Sequence, residues 1–207
     1  MRIYTEPRKF PYILIDNFIP EHEMNDVLSE IEYLKKFTMS ADMTGSATTL
    51  DGTFLKQNKG IYFNHFYNND DIKLFSPTFR CMLRLESEEV FNAIRNYDNI
   101  FAHFIPMRFR KENEFPTDAL LSFYYDSDYY KLHTDSTLYT AVLWIHEEPK
   151  QFTGGDFYFH HEDGTVELVE CKNNRMVIFP SFYAHEVTAV KYLTPESSPR
   201  CSVSMFF

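Results

Sequence analysis

The chain has 207 residues, a length that suits one domain built around a single hydrophobic core. Its formal net charge of −10 argues against a general binder of nucleic acids or of anionic membranes. It has no apolar leader, no segment of transmembrane length and only three, widely spaced cysteines, so we expect a soluble cytoplasmic protein with free thiols.

The amino-terminal half is predicted to contain one strand and two helices. Residues 12–16 are mostly apolar and predict a strand, whereas residues 21–36 repeat apolar side chains at helical spacing. Residues 37–60 are polar without periodicity, so we expect a loop that could cover a site. The Ser-Pro pair at 76–77 is typical of a helix start and predicts a second helix over about 76–96.

The carboxy-terminal half is predicted to be rich in strands, because short aromatic and β-branched runs alternate with turn residues from residue 101 onward. About eight strands with short connections favour a double-stranded β-helix, or jelly roll, which removes exposed sheet edges. Asp163-Gly164 predicts a hairpin. The predicted strands are 102–108, 119–125, 130–135, 138–147, 155–160, 166–170, 175–179, 184–190 and 201–207.

Together these elements predict a mainly β fold with flanking helices (α+β) in a single domain, residues 1–207. Residues 101–207 would form the double-stranded β-helix core. Residues 1–100 would supply a supporting strand, the lid loop and two helices packed on the outside of one sheet. No repeat and no linker divides the chain.

Three residues of the predicted core are candidate metal ligands: His133, Asp135 and His185. In a short strand over residues 132–135, the period of two would put His133 and Asp135 on one face. Neighbouring strands of a barrel can bring a distant residue such as His185 beside them. Two imidazoles and one carboxylate form a ligand set that suits non-haem Fe(II) and leaves coordination positions open.

A second pair of histidines, His160 and His161, lies beside Glu162 and Asp163 and could hold another metal. Their place at the tip of the predicted hairpin favours a solvated turn instead. We therefore expect no second metal site there.

Five motifs resemble the prolyl 4-hydroxylase-like branch of the Fe(II)/2-oxoglutarate-dependent dioxygenase superfamily. The first, with the pattern Tyr…Tyr-x-x-His-x-Asp, ends in the candidate ligands, and the last is a closing Arg-x-Ser. The motifs lie at residues 124–135, 140–146, 154–157, 175–187 and 200–204. The resemblance covers residues 101–207, and residues 10–36 resemble the family's strand and helix more loosely.

The resemblance implies that His133, Asp135 and His185 hold Fe(II), with 2-oxoglutarate as cosubstrate, O2 as oxidant and ascorbate as a supporting reductant. It implies an oxidoreductase that hydroxylates an unactivated C–H bond and releases succinate and CO2. The carboxylate at Asp135 argues against a halogenase, which needs that position vacant.

The distal carboxylate of 2-oxoglutarate is expected to bind Arg200, because a buried carboxylate needs a charge-assisted partner. Lys191 is the competing candidate. The resemblance also implies cosubstrate contacts from Ser202 and Tyr124. Trp144 stands where the family has a tyrosine, so it either donates its indole N–H to the cosubstrate or serves as a large core aromatic.

The sequence leaves the substrate open. By resemblance, a peptidyl residue such as proline is the leading hypothesis, a free amino acid or other small metabolite is second, and a non-catalytic jelly-roll binding module is less favoured. An open groove beside the metal would favour a peptide or protein, and a closed pocket under residues 37–60 would favour a small molecule. We expect no nucleic-acid and no membrane partner, and the oligomeric state is not predicted.

Overall fold

Two antiparallel sheets enclose the centre of the carboxy-terminal part, and helices cover the outer face of the larger sheet. This architecture is seen in a computed structural model that describes residues 1–4, 8–87, 89–90, 92 and 118–206. The predicted strand 102–108 and the end of the predicted helix 76–96 lie outside the described residues. Every helix within them is too short or too polar to span a bilayer.

The helices of the described residues all lie in the amino-terminal half. They are α1 (Glu21–Leu34), α2 (Phe63–Phe66), α3 (Asp70–Lys73) and α4 (Pro77–Met82), with 3-10 turns at Lys35–Phe37, Ala41–Thr44 and Leu83–Glu86. The strands are β1 (Arg2–Tyr4), β2 (Ile13–Asp16), β3 (Met39–Ser40), β4 (Lys56–Gln57), β5 (Lys59–Tyr62), β6 (Leu120–Tyr124), β7 (Tyr129–His133), β8 (Tyr139–Ile145), β9 (Phe152–Gly154), β10 (Phe157–His160), β11 (Val166–Val169), β12 (Arg175–Pro180), β13 (Ala184–Val187), β14 (Val190–Tyr192) and β15 (Arg200–Phe206).

The larger sheet has eight strands in the order β1-β2-β12-β8-β15-β6-β5-β3, and the smaller sheet has five in the order β11-β10-β13-β7-β4. Strands β14 and β9 form a separate two-stranded ribbon. The described strand pairs are antiparallel, and most neighbours in the sheets are distant in sequence. Such crossovers between two sheets are typical of a jelly roll, so the predicted double-stranded β-helix is confirmed.

Alternation along the strands of the larger sheet separates two hydrophobic clusters. On one face, Leu143 of β8 and Val203 of β15 pack with Val27 of α1. On the other face, Trp144 of β8 packs with Phe157 of the smaller sheet. Because side chains alternate along a strand, each strand serves the helix layer and the space between the sheets at once. The predicted packing of amino-terminal helices on one sheet is confirmed.

The predicted second helix begins where expected but is shorter. Ser76 is the N-cap, and its Oγ accepts a hydrogen bond from the backbone N–H of Phe79 at 2.9 Å. Pro77 occupies the first turn, where its missing N–H costs nothing. The α-helix ends at Met82 and continues as a 3-10 turn over Leu83–Glu86, so the predicted helix is interrupted there, and residues 89, 90 and 92 are again helical.

Residues 37–60 are not only a loop, which corrects the prediction. Strand β5 pairs with β6 in the larger sheet, and β4 pairs with β7 in the smaller sheet, with only Asn58 between the two strands. Strand β4 consists of two polar residues and β5 of only four residues, so neither is long enough for an apolar alternation to reveal it. The close approach at Gly60, where a Cβ would lie 2.9 Å from the carbonyl oxygen of Leu121, requires glycine.

The predicted strand 184–190 is divided into β13 and β14. Strand β13 belongs to the smaller sheet, and β14 leaves it to pair with β9. At the junction Gly154 has a φ of +65°, and a Cβ there would meet the carbonyl oxygen of Ala189 at 2.1 Å. Glycine is therefore needed where the ribbon departs from the smaller sheet.

Candidate metal centre

The three candidate ligands converge between β7 and β13. His133 and His185 are directly opposite each other in these paired strands. Asp135 follows β7, and its backbone N–H donates to the carbonyl oxygen of Ser181 at 3.0 Å. The Nε2 atoms of both histidines lie 3.7 Å from Asp135 carboxylate oxygens, and the candidate ligand atoms of all three residues lie within 4.8 Å of one another.

The strand positions that bring the three ligands together differ from the predicted ones. Strand β7 ends at His133, so Asp135 reaches the cluster from the following turn and not from the same strand face. Between the pairs His185–His133 and Val187–Tyr130, β7 contains one residue more than β13. This β-bulge brings Tyr130 and His133 to the same side, where their rings stack with centroids 3.5 Å apart.

Backbone carbonyl groups orient both imidazoles. Nδ1 of His133 lies 2.8 Å from the carbonyl oxygen of Lys131, and Nδ1 of His185 lies 2.8 Å from that of Tyr183. These contacts place the proton on Nδ1 and leave the Nε2 lone pair for a metal. Burial lowers the pKa of His133 to about 3 and also lowers the pKa of His185. Both rings are therefore neutral at physiological pH, which is the form that binds metals.

The carboxylate of Asp135 is oriented by a hydroxyl group on β8. Thr140 Oγ1 donates to Asp135 Oδ2 at 2.5 Å and lies 2.9 Å from Ser181 Oγ. The cluster thus offers two imidazole nitrogens and one held carboxylate oxygen from three converging residues. This donor set fits Fe(II), for which nitrogen and oxygen ligands with open positions are suitable.

We expect Thr140→Val to lower Fe(II) affinity by about 10- to 100-fold, because it removes the hydrogen bond that orients Asp135. Thr140→Ser should restore most of the affinity. Anaerobic titration calorimetry with Fe(II) measures the change. Thr137→Val is the matched control, since Thr137 contacts Ser181 and the carbonyl group of Tyr139 without touching Asp135. Equal affinity in both valine variants would remove the positioning role from Thr140.

Arg200 is a buried guanidinium that has no ion-pair partner among the described residues. It is 2% exposed, and its Nε donates to the carbonyl oxygen of Gly155 at 2.9 Å. Its Nη2 lies 3.9 Å from the Sγ of Cys171, whereas its buried Nη1 has no hydrogen-bond partner among the described residues. A buried cation with a free donor fits a carboxylate supplied by a ligand.

The other predicted cosubstrate residues have different surroundings. Tyr124 is paired with Arg200 across β6 and β15, and the guanidinium lies 4.9 Å from the centroid of its ring. Ser202 follows Arg200 on the same inward face of β15 and is buried. Trp144 packs edge-on against Phe157, and its buried Nε1 has no partner within the described part of the chain. A cosubstrate contact from Trp144 stays a prediction.

A cavity of about 50 Å³ unites the two parts of the site. The three candidate ligands line it together with Arg200, Ser202 and Tyr124. Thr140 and Lys56 are among the lining residues to which no role was assigned from the sequence. The alternation of side chains along β8 predicts that Thr140 points inward. Lys56 lies in the polar segment 37–60, where no pattern distinguishes it from a surface lysine.

The two histidines of the hairpin, His160 and His161, are not both exposed to solvent. His161 is buried, stacks on Phe10 with ring centroids 3.9 Å apart, and lies 3.1 Å from Glu167 Oε2. His160 is paired with Glu186 at 2.9 Å. The prediction of solvation is therefore wrong for His161, because the amino-terminal segment covers it. No second group of three or more potential metal ligands is found in the described parts of the chain.

Comparison with known proteins agrees with this geometry. Residues 119–207 match the profile of the 2OG-Fe(II) oxygenase superfamily. No curated protein matches the sequence. The fold is similar to that of a Trichoplax adhaerens prolyl hydroxylase in complex with a peptide fragment of the hypoxia inducible factor oxygen degradation domain, with a TM-score of 0.60 and 12% identity over 94% of this chain and 82% of that one.

Two further solved structures share the fold. A Pseudomonas putida prolyl-4-hydroxylase has a TM-score of 0.54 and 14% identity, covering 96% of this chain and 92% of its own. The 2-oxoglutarate-dependent epimerase SnoN from nogalamycin biosynthesis has a TM-score of 0.55 and 14% identity, covering 96% and 77%. These structures therefore combine one fold with more than one reaction, and the substrate has to be argued from the site.

Proposed function

We propose that the chain is a 2OG-Fe(II) oxygenase that hydroxylates an unactivated C–H bond, and the match of residues 119–207 to the profile of that superfamily supports the proposal. The observation that carries the proposal is the shared cavity, in which a nitrogen and oxygen ligand set and an uncompensated buried guanidinium face the same space. When bound, Fe(II) with 2-oxoglutarate and O2 supplies the oxidising chemistry that yields succinate, CO2 and a hydroxylated product.

The chain's own residues bind and orient these groups. His133 and His185 present Nε2, and Asp135 presents the carboxylate that Thr140 holds. Arg200 binds the distal carboxylate of 2-oxoglutarate through its free Nη1. Because that guanidinium is buried, the pairing is made in a region from which water is excluded, and it is correspondingly strong.

A peptidyl residue, with proline as the first candidate, is the substrate that we propose. Three exposed apolar side chains surround the ligands in sequence: Leu132 precedes His133, Leu138 follows the Asp135 turn, and Phe182 precedes Tyr183. Leu138 and Phe182 are brought together because the backbone N–H of Ser181 donates to the carbonyl oxygen of Leu138 at 3.0 Å. Exposed apolar side chains on the segments that carry the ligands suit contacts with an extended peptide. The similar Trichoplax enzyme is described with a peptide.

A free amino acid or other small metabolite is the second candidate, and one observation favours it. The cavity is small, and Lys56 from the segment 37–60 forms part of its wall. A wall contributed by that segment is closer to a closed pocket than to an open groove, and closed pockets suit small ligands.

Succinate formation from 2-oxoglutarate in air, with Fe(II) and ascorbate, tests both candidates. We expect a proline-rich peptide to raise the rate severalfold over the rate without substrate, because substrate binding couples decarboxylation to hydroxylation. Stimulation by free L-proline alone would support the small-molecule candidate. A slow rate that neither compound changes would support the oxygenase activity and exclude both peptidyl proline and free proline as substrates. No succinate from iron-loaded protein would contradict the proposed function and favour a binding module.

A further inference from the structure

Lys56 is a buried lysine in the wall of the metal cavity. It is 5% exposed and lies on β4, the edge strand of the smaller sheet, opposite Tyr130 of β7. Its Nζ lies 5.4 Å from the centroid of the Tyr130 ring, which stacks in turn on His133. The ammonium group therefore belongs to the immediate surroundings of the candidate ligands.

The ammonium group is held in place and keeps one donor free. Nζ donates to the carbonyl oxygen of Thr44 at 3.0 Å and to Thr44 Oγ1 at 3.1 Å. Thr44 is itself buried, and its Oγ1 donates to the carbonyl oxygen of Ala41 at 3.2 Å. A lysine has three N–H donors, so one remains without an acceptor among the described residues.

The charge of Lys56 also has no counter-ion in the part of the chain that the structure describes. None of the described carboxylates forms an ion pair with it. Burial lowers the pKa of Lys56 to about 8, and the charge of Asp135 acts in the opposite direction. Asp135 is a candidate metal ligand, so its charge is shared with Fe(II) once the metal binds.

In the site loaded with Fe(II) and 2-oxoglutarate, every charge except that of Lys56 is balanced. The two positive charges of Fe(II) and the one of Arg200 are balanced by Asp135 and the two carboxylates of 2-oxoglutarate. Lys56 then remains as an extra buried cation beside the reacting centre. A buried charge without a partner is costly, and a ligand of opposite charge removes that cost.

We propose that Lys56 is a substrate-binding residue that pairs with a carboxylate group of the molecule to be oxidised. The inference rests on the proposed function, because it assigns an occupant to the same cavity. The carboxylate is the α-carboxylate of a free amino acid, or an acidic side chain or carboxy terminus next to the target residue of a peptide. One free N–H suits a carboxylate better than a phosphate, whose several oxygens need more donors.

Binding of paired probes to the protein loaded with Fe(II) and 2-oxoglutarate, without O2, tests this assignment. The carboxylates are acetate, L-proline and a peptide with glutamate next to proline. Their neutral partners are acetamide, L-prolinamide and the same peptide with glutamine. Binding is followed by titration calorimetry and by the visible absorption of 2-oxoglutarate chelated to Fe(II). The L-proline and peptide pairs also distinguish the two sources of the carboxylate.

We expect at least one carboxylate to bind the wild-type protein about 30-fold or more tightly than its neutral partner, because it gains a charge-assisted hydrogen bond in a buried site. Lys56→Met should remove this preference, Lys56→Arg should keep part of it, and neither should change the affinity for 2-oxoglutarate. Lys59→Met is the matched control, since Lys59 is exposed on the neighbouring strand β5. Thermal unfolding shows whether the variants are folded. If Lys56→Met does not fold, Lys56→Gln replaces it.

Three outcomes would overturn the assignment. They are equal binding within every pair, no binding by any probe, and a weakened affinity for 2-oxoglutarate in Lys56→Met, which would make Lys56 a cosubstrate residue. Succinate formation without added substrate separates this failure from that of the proposed function. If the wild-type protein forms succinate and Lys56→Met binds the probes like the wild type, only the role of Lys56 is lost.

Discussion

Asp135→Ala should lower Fe(II) affinity by at least about 100-fold and abolish succinate formation, because it removes the carboxylate from the group of three candidate ligands. The fold should survive. The Asp135 side chain is not part of either hydrophobic cluster. Without it, the two neutral histidines keep the backbone partners of their Nδ1 atoms. Anaerobic Fe(II) titration, succinate assay and thermal unfolding of the same preparations measure the three effects.

Asp126→Ala is the matched control for that variant. Asp126 lies on an exposed turn just before β7, where its Oδ1 accepts a hydrogen bond from the backbone N–H of Tyr192. The Asp126→Ala variant should bind Fe(II) with the affinity of the wild-type protein. His133→Ala should behave like Asp135→Ala. Wild-type turnover in either ligand variant would contradict the assignment of the metal centre.

Arg200→Met should raise the 2-oxoglutarate concentration needed for half-maximal turnover by at least about 30-fold, because a buried carboxylate loses its charge-assisted partner. The Fe(II) requirement should change far less, since Arg200 contacts Gly155, Cys171 and Tyr124 rather than the ligands. Arg200→Lys should recover part of the loss as a single-point donor. The measurements are separate titrations of 2-oxoglutarate and Fe(II) in the succinate assay.

Lys191→Met separates the two cationic candidates for the cosubstrate. Lys191 is exposed on β14, outside the residues that line the metal cavity. It should therefore leave the 2-oxoglutarate requirement unchanged. An unchanged requirement in Arg200→Met together with a raised one in Lys191→Met would reverse the assignment.

The carboxy-terminal fold was predictable from the sequence because its strands lie between two hydrophobic layers. Strands such as β8 and β15 alternate between residues that face the helices and residues that face the smaller sheet. That pattern, together with the hairpin signal at Asp163-Gly164, specifies a jelly roll. The same reasoning failed for β4 and β5, because these strands have only two and four residues and pair with the distant strands β7 and β6.

The site was predictable where residue type and spacing carry the chemistry. His133, Asp135, His185 and Arg200 could be selected because imidazole, carboxylate and guanidinium groups are distinctive and their order resembles a known family. Lys56 and the partners of Asp135 could not be selected, because their importance arises from tertiary contacts. A lysine in a polar segment reads as a solvated residue until the fold buries it.

The segment from β4 to β5 joins both walls of the cavity. Lys56 belongs to the smaller sheet, Gly60 belongs to the larger sheet, and Asn58 between them is buried. Detaching this short piece of chain would break pairings in both sheets and withdraw the Lys56 ammonium group in one event. If Lys56 has the proposed role, detachment of the segment would open this side of the cavity and at the same time lower the affinity for an anionic substrate.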